Sequence, residues 1–233
     1  IEAYGQVLTS RLFLEDDFEG AHHALRRMVA LDSGEAGTYR MRGIVRQEVD
    51  GDLAGALADF QRAVDFEPTL QRLNSLAAGL MAARRYEEAA AVLERSMAMR
   101  PSSGASTRLV TTYERLGRRP DATRIRRLID PRGVAAAPFE AALAARDTAA
   151  YARAYRRELL RTADSLIARL TMADVTPAER YNVAELRIGA LLCELGDAKK
   201  AMDLVEDLYR IRPKRLRWIV TNVDLGCPRQ DPR

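Results

Sequence analysis

The sequence predicts an all-α solenoid of five to six helical hairpins, and three observations predict it. Composition is the first. Of 233 residues, 47% are hydrophobic and 30% charged, with aromatics at only 6%. A core can form and disorder is excluded, while the abundance of alanine and leucine favours helix over strand. The second is a spacing that recurs. In GDLAGALADFQRAVDFEP (51–68), Ala56 is followed by Phe60, Ala63 and Pro68. Thirty-three residues later Ala89 is followed by Leu93, Ser96 and Pro101, and another thirty-three residues lead to Ala122, with Ile129 where Ala63 stood. Ala21, thirty-five residues before Ala56, precedes Leu25 and Met28; Ala201 precedes Val205, Leu208 and Pro213. The third is a turn just upstream of each anchoring alanine: EDDF (15–18), DGDL (50–53), ARRY (83–86), LGRR (116–119) and LGDA (195–198).

Each unit reads as two helices joined by that turn. The anchoring alanine lets two helices approach, and the large apolar residues four and seven positions on share its face. Glycine or aspartate in the turn suits one helix C-terminus and the next N-cap. Proline after the second helix ends it. The first helices show their own apolar stripes, such as Leu73, Leu76, Ala77 and Leu80, or Ile188, Gly189 and Leu192.

In chain order, residues 1–130 predict four hairpins. The helix before Gly51 is one residue long if Gly43 is its small contact residue, and Arg126 stands at a site that should be apolar, which marks the unit at 103–130 as degenerate. Residues 131–176 predict an atypical hairpin: PRGVAAAP (131–138) is linker-like, PFEAALAAR (138–146) a short helix, and 148–172 an elongated second helix. A further hairpin follows at 177–213, then a capping helix and irregular tail at 214–233, with Trp218 as plug. Stability should be nearly additive along the array and weakest at 103–146.

LNSLAAGLMAARRYEEAAAVLERSMAMRP (73–101), GDLAGALADFQRAVDFEP (51–68) and AELRIGALLCELGDAKKAMDLVEDLYRIRP (184–213) resemble the tetratricopeptide repeat (TPR) family, although no unit carries that family's tryptophan. The resemblance implies a superhelix whose inner surface comes from the first helices. It also implies a groove that holds a peptide or partner protein. The inward candidates it implies are Arg40, Gln47, Gln71, Asn74, Ala78, Met81, Thr107, Arg108, Thr111 and Glu114. Some members clamp a C-terminal carboxylate, and Arg40, Asn74 and Arg108 could form part of such a clamp here. Ile44 and Gly104 stand where its asparagine and lysine would be. The tail DLGCPRQDPR (224–233) is similar to segments that follow such arrays in bacterial multidomain regulators, some of them serine/threonine kinases.

Charge adds a second candidate surface. Residues 1–68 carry 7 basic and 13 acidic groups (net −6), residues 69–135 carry 13 and 6 (net +7), and residues 136–233 carry 17 and 14 (net +3). Arg84, Arg85, Arg118 and Arg119 fall at successive turns and predict a basic edge suited to an acidic protein segment. Nucleic acid fits less well, because aromatic platforms for bases are absent there. His22 and His23 diverge by about 100° on a helix and cannot chelate one ion together. No catalytic triad, metal spacing or phosphate loop appears, so no cofactor, metal or enzymatic activity is expected. Cys193 and Cys227 make no disulfide framework, and no apolar run reaches the ~18 residues of a membrane helix.

The expected function is therefore a non-enzymatic protein-interaction scaffold, cytoplasmic, or periplasmic if an export signal lies upstream. The alternatives are cis-regulation of an attached kinase or transcription regulator, and an envelope-assembly role. Only three of 37 basic residues are lysine (Lys199, Lys200, Lys214), a bias expected of a GC-rich bacterial genome. The chain starts at Ile1, which suggests a piece of something longer.

Overall fold

The computed structural model describes residues 1–130 and 132–170, with nine further positions between 192 and 210. The hairpin expected at 177–213 falls mostly outside the described residues, Cys193 among them, and the tail at 214–233, with Trp218 and Cys227, lies wholly outside. Ten α-helices run in order: α1 Glu2–Phe13, α2 Phe18–Leu31, α3 Ala36–Val45, α4 Leu53–Phe66, α5 Leu70–Ala82, α6 Tyr86–Met99, α7 Ser103–Arg115, α8 Arg119–Ile129, α9 Ala137–Ala144 and α10 Thr148–Leu170. No strand occurs among the described residues. Each helix packs on its chain neighbours, and α3 also touches both α1 and α5. The odd-numbered helices thus form one row and the even-numbered helices the other.

The anchoring alanines sit where close approach demands them: Ala21, Ala56, Ala89 and Ala122 are all fully buried. Side-chain caps start several helices. Asp17 and Asp52 accept from the backbone N–H of Gly20 and Gly55, both at 2.8 Å, and Glu35, Thr69 and Ser102 cap α3, α5 and α7. Such caps satisfy donors that the helix itself leaves unpaired.

Every hairpin turns through one residue with positive φ: Asp16 (52°), Gly51 (72°), Arg84 (58°), Gly117 (69°) and Arg146 (52°). Glycine adopts this conformation freely, whereas a side chain strains it. Arg84→Gly is therefore expected to stabilise the chain by about 0.5–1 kcal/mol, the relief of strain outweighing the added freedom of the unfolded state. A urea midpoint unchanged or lowered would contradict this.

The extra residue before Gly51 is absorbed by a π-helical turn, Arg46–Asp50, that continues α3. The bond closing this turn, from the Asp52 N–H to the Arg46 carbonyl, spans six residues, as does that from the Asp17 N–H to the Arg11 carbonyl in the first hairpin, while those at Arg85 and Arg118 span five. An inserted residue is housed as a wider turn and the helix axis is kept. With that shift, Gly43 occupies the small-residue contact position. A Cβ on Gly43 would lie 2.6 Å from Phe60 Cε1 and 3.1 Å from the Ala56 carbonyl oxygen. Gly79 on α5 borders the same ring from the other side. Phe60, 2% exposed, is thus held between glycines of two successive first helices.

Among the described residues the apolar core comes in three pieces. One spans α1–α3 and includes Leu8, Leu12 and Met28. The largest runs from α4 to α8, and a small one joins α9 and α10 through Phe139, Ala142, Tyr151 and Ala154. Ile44 packs against both of the first two pieces. Between the second and third, polar groups carry the joint. Arg126 of α8 is 1% exposed. Its Nη1 donates to Glu114 of α7 at 2.7 Å, and its Nε and Nη2 donate to Glu158 of α10 at 3.0 and 2.5 Å. Its guanidinium lies 4.0 Å from the Phe139 ring centroid. Tyr151 donates to the same Glu114 oxygen at 2.7 Å.

A second such knot sits in the second hairpin. Asp59 of α4 is 2% exposed and accepts from Arg42 at 2.6 and 2.8 Å and from Arg46 at 2.7 Å. Asp59 stands three residues after Ala56, where Val92 follows Ala89 and Ile125 follows Ala122. In the first knot the arginine is the buried group, and in the second the carboxylate is, with Arg42 and Arg46 reaching it from partly exposed positions.

Candidate partner-binding groove

The first helices of the three N-terminal hairpins line a groove of about 840 Å³. Its walls include Gln6, Thr9 and Ser10 from α1, Arg40 from α3, and Gln71 and Arg72 from α5. The repeat register explains their convergence. Gln6, Asn74 and Thr107 each stand fifteen residues before the anchoring alanine of their hairpin, and Arg40 takes that place once the π-helical insertion is allowed for. A solenoid stacks equal positions of successive units into one column, so these four belong to the inner row.

Arg40 shares the groove lining with Arg72 and with the carboxylates Glu2 and Glu35. It is half-buried, and among the described residues no carboxylate pairs with it. Its one recorded hydrogen bond runs from Nη2 to the Met41 sulfur at 3.9 Å. Burial, and secondarily the positive charge of Arg72, hold its guanidinium below the ordinary arginine value. A cation desolvated beside a like charge favours whatever anion can reach it. Arg72 is already occupied by the carbonyl and carboxylate of Glu67. Gln6, Thr9, Ser10 and Gln71 line the same groove; the Thr9 and Ser10 hydroxyls donate to the Gly5 carbonyl and to Glu15 and keep their acceptor lone pairs, while the two amides can donate and accept.

The other expected groove residues are placed differently. Gln71 lines the groove and is exposed. Asn74 is half-buried, and its Oδ1 accepts from the Ser96 hydroxyl at 3.4 Å. Met81 is 8% exposed and belongs to the α4–α8 core. Gln47 lies in the π-helical turn and donates to Glu48 at 2.9 Å. The Thr107 and Arg108 carbonyls accept from the hydroxyls of Thr111 and Thr112 one turn on. Glu114 is consumed by Arg126 and Tyr151, its side chain 7% exposed. Arg40 and Gln71 are therefore brought together at the groove, while Asn74, Thr107, Arg108 and Thr111 lie further along the array.

The basic edge is largely neutralised by its own neighbours. Arg85 forks onto Glu88 with two 2.6 Å bonds. Arg118 pairs with Asp121 at 2.9 Å and lies 4.5 Å from the Tyr113 ring centroid, and Arg119 lies over Tyr151 at 5.2 Å. Among the described residues Arg84 alone of the four has no partner, and it forms the strained turn. Burial, followed by hydrogen bonds to Glu94 and Glu114 respectively, pushes the Tyr113 and Tyr151 hydroxyls up to about 12.

Reading by residue type missed Gln6, Thr9 and Ser10. The signal was present: Gln6 and Ser10 stand at the same distances before Ala21 as Asn74 and Ala78 do before Ala89. Applying the register to the first hairpin would have found them.

Order of helices, packing in chain order and a groove lined by first helices define an α-solenoid of helical hairpins with a TPR-like fold. The solved structure of Pseudomonas aeruginosa PilF superposes with a TM-score of 0.53 over 93% of this chain and 94% of that one, at 18% identity. A second solved structure, Naa15/Naa10 bound to HypK-THB, matches with a TM-score of 0.39 and 15% identity. It covers 97% of this chain and 34% of the other. No protein-family model and no curated protein matches the sequence. Among the described residues no helix is long and apolar enough to cross a membrane.

Proposed function

We propose that the chain is a protein-interaction scaffold that holds an acidic segment of a partner protein in the groove between α1, α3 and α5. The observation carrying this reading is Arg40, a half-buried guanidinium in a groove of about 840 Å³ with no carboxylate partner among the described residues. An extended acidic peptide supplies what that site lacks. Its carboxylate meets Arg40, and its backbone amides meet the hydroxyl and amide side chains on either side. A fold of this kind supplies concave surface and the site supplies chemistry, and nothing in the groove is arranged to make or break a bond.

The test is a titration of a fluorescein-labelled glutamate-rich peptide into the chain, followed by anisotropy. Saturable binding is expected, weakened about tenfold or more by Arg40→Glu. Arg157→Glu, exposed on α10 away from the groove, should leave the affinity unchanged. Equal affinity of the wild-type and Arg40→Glu chains would remove the groove assignment.

A further inference from the structure

A second surface lies on the even-numbered helices. Near the C-terminal end of each of α2, α4 and α6 stands an exposed arginine followed four residues later by an exposed large apolar residue. The pairs are Arg27 with Leu31, Arg62 with Phe66, and Arg95 with Met99. The arginines each lie six residues after the anchoring alanine and the apolar residues ten after it. Equal positions stack, so the three pairs form one stripe along the array. Four residues apart on a helix means one face, so each guanidinium lies beside its apolar neighbour.

Leu31, Phe66 and Met99 are 60%, 63% and 52% exposed. None of the three arginines has a carboxylate partner among the described residues. Arg27 and Arg62 lie over the rings of Tyr4 and Tyr39, at 6.0 and 5.7 Å. At the centre, Phe66 stacks on Tyr39 with centroids 5.8 Å apart and 21° between planes. Together with Arg62 and Asp65 they line a depression of about 380 Å³. Tyrosine, phenylalanine, methionine and arginine are the residue types that protein interfaces concentrate.

We infer that this stripe is a second docking surface, separate from the groove, for an amphipathic acidic segment of a partner protein. One apolar side chain of that segment fills the Tyr39–Phe66 depression, and its carboxylates pair with Arg27, Arg62 and Arg95. The unpaired arginines set the sign of the partner's charge, and the alternation of cation and apolar group sets its amphipathicity. With a ligand in the groove as well, one chain would hold two segments at once, and linked segments would gain avidity.

Selection of a phage-displayed random peptide library against the whole chain tests this, with counter-selection on two variants. Peptides rich in Asp or Glu with interspersed Leu, Phe or Met should be recovered. Phe66→Ser or Arg62→Glu should weaken their binding about tenfold or more. Both positions are exposed, and circular dichroism of each variant checks that the helices are retained. Arg40→Glu should leave these peptides bound, which separates the stripe from the groove. Peptides lost only with Arg40→Glu would overturn the inference. So would sedimentation of the chain with vesicles containing phosphatidylserine that is abolished by Phe66→Ser, because that would assign the stripe to an anionic lipid surface.

Discussion

An Arg126→Ala chain is expected to lose about 3–5 kcal/mol of stability at the junction of α7, α8 and α10. The side chain is 1% exposed, and the Glu114 carboxylate it neutralises has a side chain only 7% exposed. Removing the cation leaves Glu114 buried with Tyr151 as its remaining hydrogen-bond partner. It also uncovers the face of Phe139. Burial works to lower the Arg126 pKa, but the bonds and charges of Glu158 and Glu114 outweigh it and raise it above the ordinary value. The guanidinium is therefore charged at every accessible pH, and the loss on truncation is electrostatic as well as steric. Arg126→Leu combined with Glu114→Leu should recover part of the stability, because the buried carboxylate leaves with its cation and only the partly exposed Glu158 is left without one. Urea unfolding followed by circular dichroism measures the loss, and hydrogen exchange locates it. The α9–α10 amides should open first, since the apolar core is discontinuous there and the polar knot bridges the gap. A single variant as stable as wild type would show that the joint is carried elsewhere.

This knot also marks how far the sequence could be read. The hairpin register was legible because anchoring alanine, apolar residues and turn recur at fixed distances, and helix packing in order follows from that pattern. Arg126 was legible as an anomaly but not as a solution. Glu114 precedes it by twelve residues and Glu158 follows it by thirty-two, so nothing local announces either partner. Glu114 was read as a groove residue because its register position faces inward; the arginine's claim on its charge draws it into the core. Met81 shows the same limit in apolar form, since an inward position beside Leu80 and Ala82 is covered by packing that only the fold reveals. Arg40 was visible as a residue on the inner row. What gives it meaning, half-burial beside Arg72 with no carboxylate paired to it among the described residues, depends on side chains of three helices converging.

Gly43→Ala is expected to destabilise the chain by about 1–3 kcal/mol, although the same change in an open helix position stabilises by about 0.5–1 kcal/mol. The sign is diagnostic of contact. The added methyl would stand 2.6 and 2.7 Å from two ring carbons of Phe60 and 3.1 Å from a backbone oxygen of α4. On its other edge the ring faces Gly79 of α5, where a Cβ would stand 3.1 and 3.2 Å from Phe60 Cδ2 and Cε2. Either α3 moves away from α4, or Phe60 leaves its rotamer and pushes on α5. Both displace α3, the helix that carries Arg40 into the groove, so the variant should weaken acidic-peptide binding as well as lower the urea midpoint. Trimming the ring should reverse the effect. In a Phe60→Leu background, itself destabilised by a cavity, the further cost of Gly43→Ala should fall to near zero, giving a coupling energy of about 1–3 kcal/mol. Equal costs of Gly43→Ala in both backgrounds would mean that the ring and the glycine are not the contact that fixes the spacing of α3 and α4.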